Sequence, residues 1–182
     1  MSNKPLGDAL LTLARNAIGS TFGEPPLPVS PLPELTRPAA TFVTLTQDGQ
    51  LRGCIGSLEA YRPLATDVTE NAVAAAFRDP RFLPLEPADW PRTRAEVSLL
   101  TPAEALLFTD EADALSRLRP GIDGLILTHG RQRATFLPQV WESLPEPRHF
   151  MAQLKLKAGL PADFWDDAVT LARYGVEKWK SA

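Results

Sequence analysis

The chain of 182 residues contains one cysteine, Cys54, and two histidines, His129 and His149. A single thiol cannot close an internal disulfide, and one thiol with two separated histidines cannot complete a closed structural zinc site, so no metal site is expected. No apolar run approaches the roughly 20 residues that a membrane-spanning helix needs. The N-terminal stretch "MSNKPLGDALLTLARNAIG" shows an amphipathic pattern where a signal peptide would carry a continuous apolar core. Together with the unpaired thiol, these absences predict a cytoplasmic location and no membrane association. A cationic excess is also missing. With a formal net charge of −3, the chain has no basic field to displace counterions from phosphate, which argues against nucleic acid as its partner. Arg117, Arg119, Arg131 and Arg133 form the best local basic cluster. The sequence lacks the C-x-x-C, H-E-x-x-H, phosphate-loop and G-x-S-x-G signatures.

Proline, by contrast, is plentiful. The segment 24–38 ("EPPLPVSPLPELTRP") is too rich in it for a helix or an inner strand, because each proline lacks an N–H and fixes φ; it reads as an extended covering segment. Before it, Leu10, Leu13, Ala14, Ala17 and Ile18 recur at helical spacing, which predicts an amphipathic helix ending near Gly19. After it, "TFVTLTQDGQLRGCIG" reads as two strands joined by a tight turn at Asp48-Gly49. Residues 63–77 read as a helix, with Leu64, Val68, Ala72 and Ala75 on one face and alanines that admit a close neighbour. Asp67, Glu70 and Asn71 share another face, expected to be solvated. "AEVSLLT" is a strand, "DEADALSRL" a short helix, and "GLILTHGRQRATF" a hairpin about His129 and Gly130. A helix is expected from about Arg148, capped by Gly159, and "AVTLARYGVEKWK" reads as one last strand. Hairpins interleaved with helices predict an α+β fold with an antiparallel sheet and flanking helices.

The stretch "LRGCIG" carries the functional question. On a regular strand, side chains two apart share a face, which sets Arg52 beside Cys54 and turns Leu51, Gly53 and Ile55 the other way. A guanidinium beside a thiol favours the thiolate, the form that attacks electrophiles. Gly53 and Gly56 clear space around Cys54 and suit a bulge or the wall of a site. Two readings stay open: a reactive thiol, or a small apolar residue in the packing. Glu96, on the strand face shared with Ser98, is the candidate to handle a proton; the two histidines are weaker candidates.

"LRGCIG", "ENAVAAAF", "DPRF", "EVSLL", "GIDGLIL", "LPQVW" and "LKAGLP" occur in this order, and from about Thr41 to Trp165 the chain resembles the AMMECR1 domain family, of the AmmeMemoRadiSam system protein A type. The resemblance implies that residues 1–182 form one domain of this kind, with a larger and a smaller subdomain and a cleft between them. It implies that Arg52, Gly53, Cys54 and Gly56 lie along the cleft. Asp79, Arg81, Ser98 and Gln139, with Pro80, Phe82, Glu96 and Pro138, would surround or support it. It further implies a Memo-like protein and a radical SAM protein as partners, and it supplies no reaction or cofactor. Some members carry a second cysteine where this chain has Lys155, so Cys54 would act alone. The resulting expectation is an enzyme or enzyme component that uses Cys54, Arg52 and Glu96 in a cleft on a small-molecule ligand. The alternative is a non-catalytic module that binds a protein or ligand through the same surface.

Overall fold

A computed structural model describes residues 3–182. Its helices are α1 (Lys4–Thr21), α2 (Leu64–Phe77), α3 (Glu111–Arg117) and α4 (Pro147–Lys157). Its strands are β1 (Thr41–Gln47), β2 (Gln50–Gly56), β3 (Thr93–Leu100), β4 (Glu104–Leu106), β5 (Gly124–His129), β6 (Gln132–Phe136), β7 (Thr170–Tyr174) and β8 (Val176–Lys180). They fall into two compact units, one of residues up to Leu100 with Glu177–Ala182, the other Thr101–Val176. The architecture is α+β with antiparallel pairing, as expected, in two sheets rather than one. No helix among the described residues is long and apolar enough to cross a membrane.

In the first unit the sheet runs in the order β2-β1-β3-β8. Asp48 and Gly49 have φ of 50° and 80°, the left-handed geometry whose twist matches that of paired strands. They join β1 to β2. Val43, Leu45, Ala95 and Val97 turn one face of this sheet onto α1 and α2, where Leu10, Ala14, Ile18, Val68 and Ala72 complete the core. The other face carries no helix of this unit. The alanines of α2 serve the close approach expected of them: a Cβ at Gly53 would lie 2.1 Å from the carbonyl oxygen of Ala75. Apart from one 3₁₀ turn at Pro33–Thr36, which packs on α2, the proline-rich segment is irregular. Asn16 clamps it by accepting from the N–H of Leu27 and donating to its carbonyl, both at 2.8 Å.

The second unit pairs its strands in the order β4-β7-β5-β6. Leu125, Leu127 and Leu171 pack against Phe150, Met151 and Leu154 of α4. Trp141 stacks on Phe150 with ring centroids 3.8 Å apart and donates its indole N–H to the carbonyl of Asp123 at 2.7 Å. Gly159, at φ 84°, ends α4 in the left-handed conformation the sequence predicts.

The last strand of the sequence reading is two strands. β7 belongs to the second sheet and β8 to the first, and they part at Gly175. Its N–H goes to Thr101 Oγ1 at 2.7 Å, and its carbonyl accepts from the Thr101 N–H at 2.9 Å. Thr101 is where the chain enters the second unit, so entry and exit are tied to each other.

Candidate functional site

A two-residue turn at 48–49 sets β1 and β2 in register with Gln47 opposite Gln50 and Thr46 opposite Leu51. Continued without interruption, that register would put Cys54 opposite Val43, a core position. It is interrupted. Leu45 pairs with Gly53, so Arg52 has no partner on β1 and forms a bulge. Because side chains alternate, the extra residue exchanges the faces of everything after it. Gly53 takes the helix-facing position, where only a residue without Cβ fits beneath Ala75, and Cys54 comes out opposite Thr44 on the face turned away from α1 and α2.

Cys54 is half-buried. Its Sγ lies 3.3 Å from Thr44 Oγ1, and either group can donate. Across Thr44 on the next strand is Glu96, so Cys54, Thr44 and Glu96 form one lateral row. Glu96 turns to the strand beyond, with its oxygens 3.0 Å from Lys180 Nζ and 3.9 Å from Lys178 Nζ. Thr44 therefore meets the sulfur and Glu96 meets two ammonium groups. Ser98 lies two residues farther along β3, buried, opposite Phe42. The Phe42 ring covers Gly56, where a Cβ would come within 2.2 Å of it.

β2 is an edge strand, and its outward backbone groups at Cys54 are taken by side chains. Asp79 Oδ2 accepts from the Cys54 N–H at 2.9 Å, and Arg81 donates to the Cys54 carbonyl at 3.3 Å. Arg81 also donates to both Asp79 oxygens, at 3.0 and 2.8 Å. An aspartate and an arginine two residues apart thus replace the missing neighbour strand. Hydrogen bonds from the Arg81 side chain, and then from the Cys54 backbone, hold the Asp79 carboxyl far below the usual carboxylate range despite its burial. The same pairing raises Arg81 above its ordinary value.

Arg52 does not pair with a carboxylate among the described residues. Its guanidinium carbon lies 5.9 Å from the centroid of Phe82, over which Arg81 also sits at 5.4 Å. Its Nη1 is buried and has no acceptor among the described residues. Gln139, the remaining residue of the expected set, is exposed in a 3₁₀ turn of the second unit. There His129 bonds Asp166 at 2.9 Å, and His149 is exposed on α4. Lys155 is 2% exposed, bonded to Glu111 and set over the Trp165 ring. Two arginines of the basic cluster are neutralised locally, Arg117 by Asp113 and Arg119 by Asp123. No group of three or more His, Cys, Asp or Glu among the described residues could hold a metal ion.

The expectation of a solvated Asp67, Glu70 and Asn71 face is corrected. Asp67 is fully buried and Asn71 nearly so; Glu70 alone is exposed, near Arg78. Asp67 accepts from Thr41 N–H at 2.8 Å, Thr41 Oγ1 at 2.7 Å, Ser57 Oγ at 2.6 Å and Arg62 Nε at 2.7 Å. Asn71 donates to the Thr41 carbonyl at 3.0 Å. A carboxylate with that many donors can be buried at little cost, and this one ties α2 to β1 and to the segment after β2. Helical spacing says which residues share a face and nothing of whether donors on distant strands await them.

The AMMECR1 family model matches residues 11–179. The chain belongs to the AMMECR1 family. A protein of Methanothermobacter thermautotrophicus is 41% identical over 150 residues, covering 79% of this chain and 76% of its own. A protein of Methanopyrus kandleri is 35% identical over 173 residues, covering 87% and 80%. Among solved structures, an uncharacterised protein from Pyrococcus horikoshii superimposes with a TM-score of 0.80 at 32% identity, over 96% of this chain and 91% of that one.

Proposed function

We propose that this AMMECR1-family protein is an enzyme or enzyme component whose reactive group is the Cys54 thiol. The observation that carries the reading is Arg52: a guanidinium whose buried Nη1 has no acceptor among the described residues, on the bulge that turns the chain's single thiol out of the core. A buried donor without an acceptor is costly, and an incoming anionic group would relieve it. In this reading Arg52 binds the anionic part of a small ligand and supports charge on the attacking sulfur. Thr44 is the hydroxyl that meets the sulfur, and Glu96 stands one strand farther as the carboxylate of the row. Asp79 and Arg81 fix the backbone of Cys54 from the open edge. Gly53, Gly56 and Ser98 shape the surface, and a Memo-like and a radical SAM protein are the partners in the reaction. Cytoplasmic location belongs to the same proposal.

The test is the rate of alkylation of Cys54 by iodoacetamide near neutral pH, against a free thiol of an unstructured peptide. The reading expects the native protein to react faster than the peptide and Arg52→Ala to react several-fold more slowly than native. A native rate at or below that of the peptide, unchanged in Arg52→Ala, defeats it. The same surface would then serve as a non-catalytic binding module, in which Cys54→Ser retains partner capture and Arg52→Glu loses it.

A further inference from the structure

The first unit holds a concave feature lined by Trp90. Asp8, Leu11, Thr12 and Arg15 recur on α1 at i, i+3, i+4 and i+7, which places them in one stripe. That stripe forms one wall of a cavity of about 450 Å³, within the range of small-molecule sites. Trp90, 3% exposed, and Ala95 contribute apolar surface. Leu27 supplies another wall, and it is fixed in place because Asn16 holds both its N–H and its carbonyl.

The Arg15 guanidinium lies 4.9 Å above the Trp90 ring, a cation–π contact that positions the head of a long side chain. No carboxylate among the described residues pairs with it. The other cation of the lining, Lys180, is committed to Glu96 at 3.0 Å. The cavity therefore combines apolar walls with a positioned fork of N–H donors that no acceptor among the described residues occupies.

We propose that this cavity binds a small monoanionic carboxylate with a flat apolar body. The carboxylate takes the Arg15 fork, whose planar donors match its two oxygens. The apolar body lies against Leu11, Leu27 and Ala95. Asp8, two helical turns from Arg15 on the same stripe, repels a second negative charge, so a monoanion is preferred to a phosphate dianion.

The experiment titrates the ¹⁵N-labelled full chain with benzoate, with benzamide as its neutral isostere, and with inorganic phosphate. The readout is the indole N–H resonance of Trp90, assigned through Trp90→Phe. The expected result is a saturable shift with benzoate at least about tenfold tighter than benzamide or phosphate, the scale of one charge-assisted bidentate pair. Arg15→Gln brings benzoate to the benzamide level while the rest of the spectrum keeps its dispersion. Arg15→Lys, which keeps charge and stem but not the fork, loses most of the preference, and Cys54→Ser changes nothing. Equal affinity for benzamide or phosphate, an undiminished preference in both Arg15 variants, or no saturable shift at millimolar benzoate overturns the proposal.

Discussion

Asp79 holds its charge between an arginine that neutralises it and a backbone amide that it orients. Its carboxyl titrates below the ordinary aspartate value when folded and near about 4 when the chain is unfolded. A depressed folded value means that the unfolded chain binds the proton more readily. The stabilisation is therefore fully present above about pH 4 and is lost as pH falls from there through the folded value. Asp79→Asn is expected to lower the melting midpoint at neutral pH by on the order of a few degrees. The gap between native and variant closes as the solution is acidified below about pH 4, and thermal melts monitored by circular dichroism across that range check it. A gap that stays constant with pH would mean that the charge of Asp79 does not contribute.

At the scale of elements, α1 and β8 meet where a helix residue has no side chain. A Cβ at Gly7 would lie 2.1 Å from Cδ1 of Trp179, an indole that is itself 9% exposed. Replacing a helical glycine by alanine gains roughly 1 kcal/mol of helix propensity in isolation. Here the methyl has no room, and overpacking costs about 1–3 kcal/mol. Gly7→Ala is expected to be net destabilising in urea denaturation, and adding Trp179→Leu to recover part of the loss in a double-mutant cycle. Elements whose identity rests on local pattern were legible from the sequence: the hairpin from its Asp-Gly turn, α2 from its apolar face, α4 from its glycine cap. Features set by pairing between distant residues were not. No local pattern says that Arg52 is the extra residue of its strand, yet that bulge decides which way Cys54 points. The burial of Asp67 depends likewise on Thr41, Ser57 and Arg62, which no helical wheel of α2 contains. Cys54 and Arg52 could be named from sequence, whereas Thr44, which meets the sulfur, could not, because uninterrupted pairing would have given that place to Val43.

For the molecule as a whole, the family match and the Pyrococcus horikoshii structure both extend over nearly the entire chain, so the two units belong to one shared plan. The hydrogen bonds between Thr101 and Gly175 bear on how that plan is written along the chain. The covalent path leaves the first unit and comes back to it through a single doorway, with the two strands of the passage bonded across it. The first unit is thus encoded in two pieces, with Thr101–Val176 between them. Joining Leu100 to Glu177 through a short linker of about two to four residues needs little reach and little closure entropy. Such a deletion is expected to retain α1, α2 and the β2-β1-β3-β8 sheet, with cooperative unfolding in circular dichroism; a chain that melts without cooperativity would show that the first unit depends on the segment between. Evolution and the protein engineer would then have the same editing point available, where a whole module can be exchanged without altering the sheet that presents the thiol.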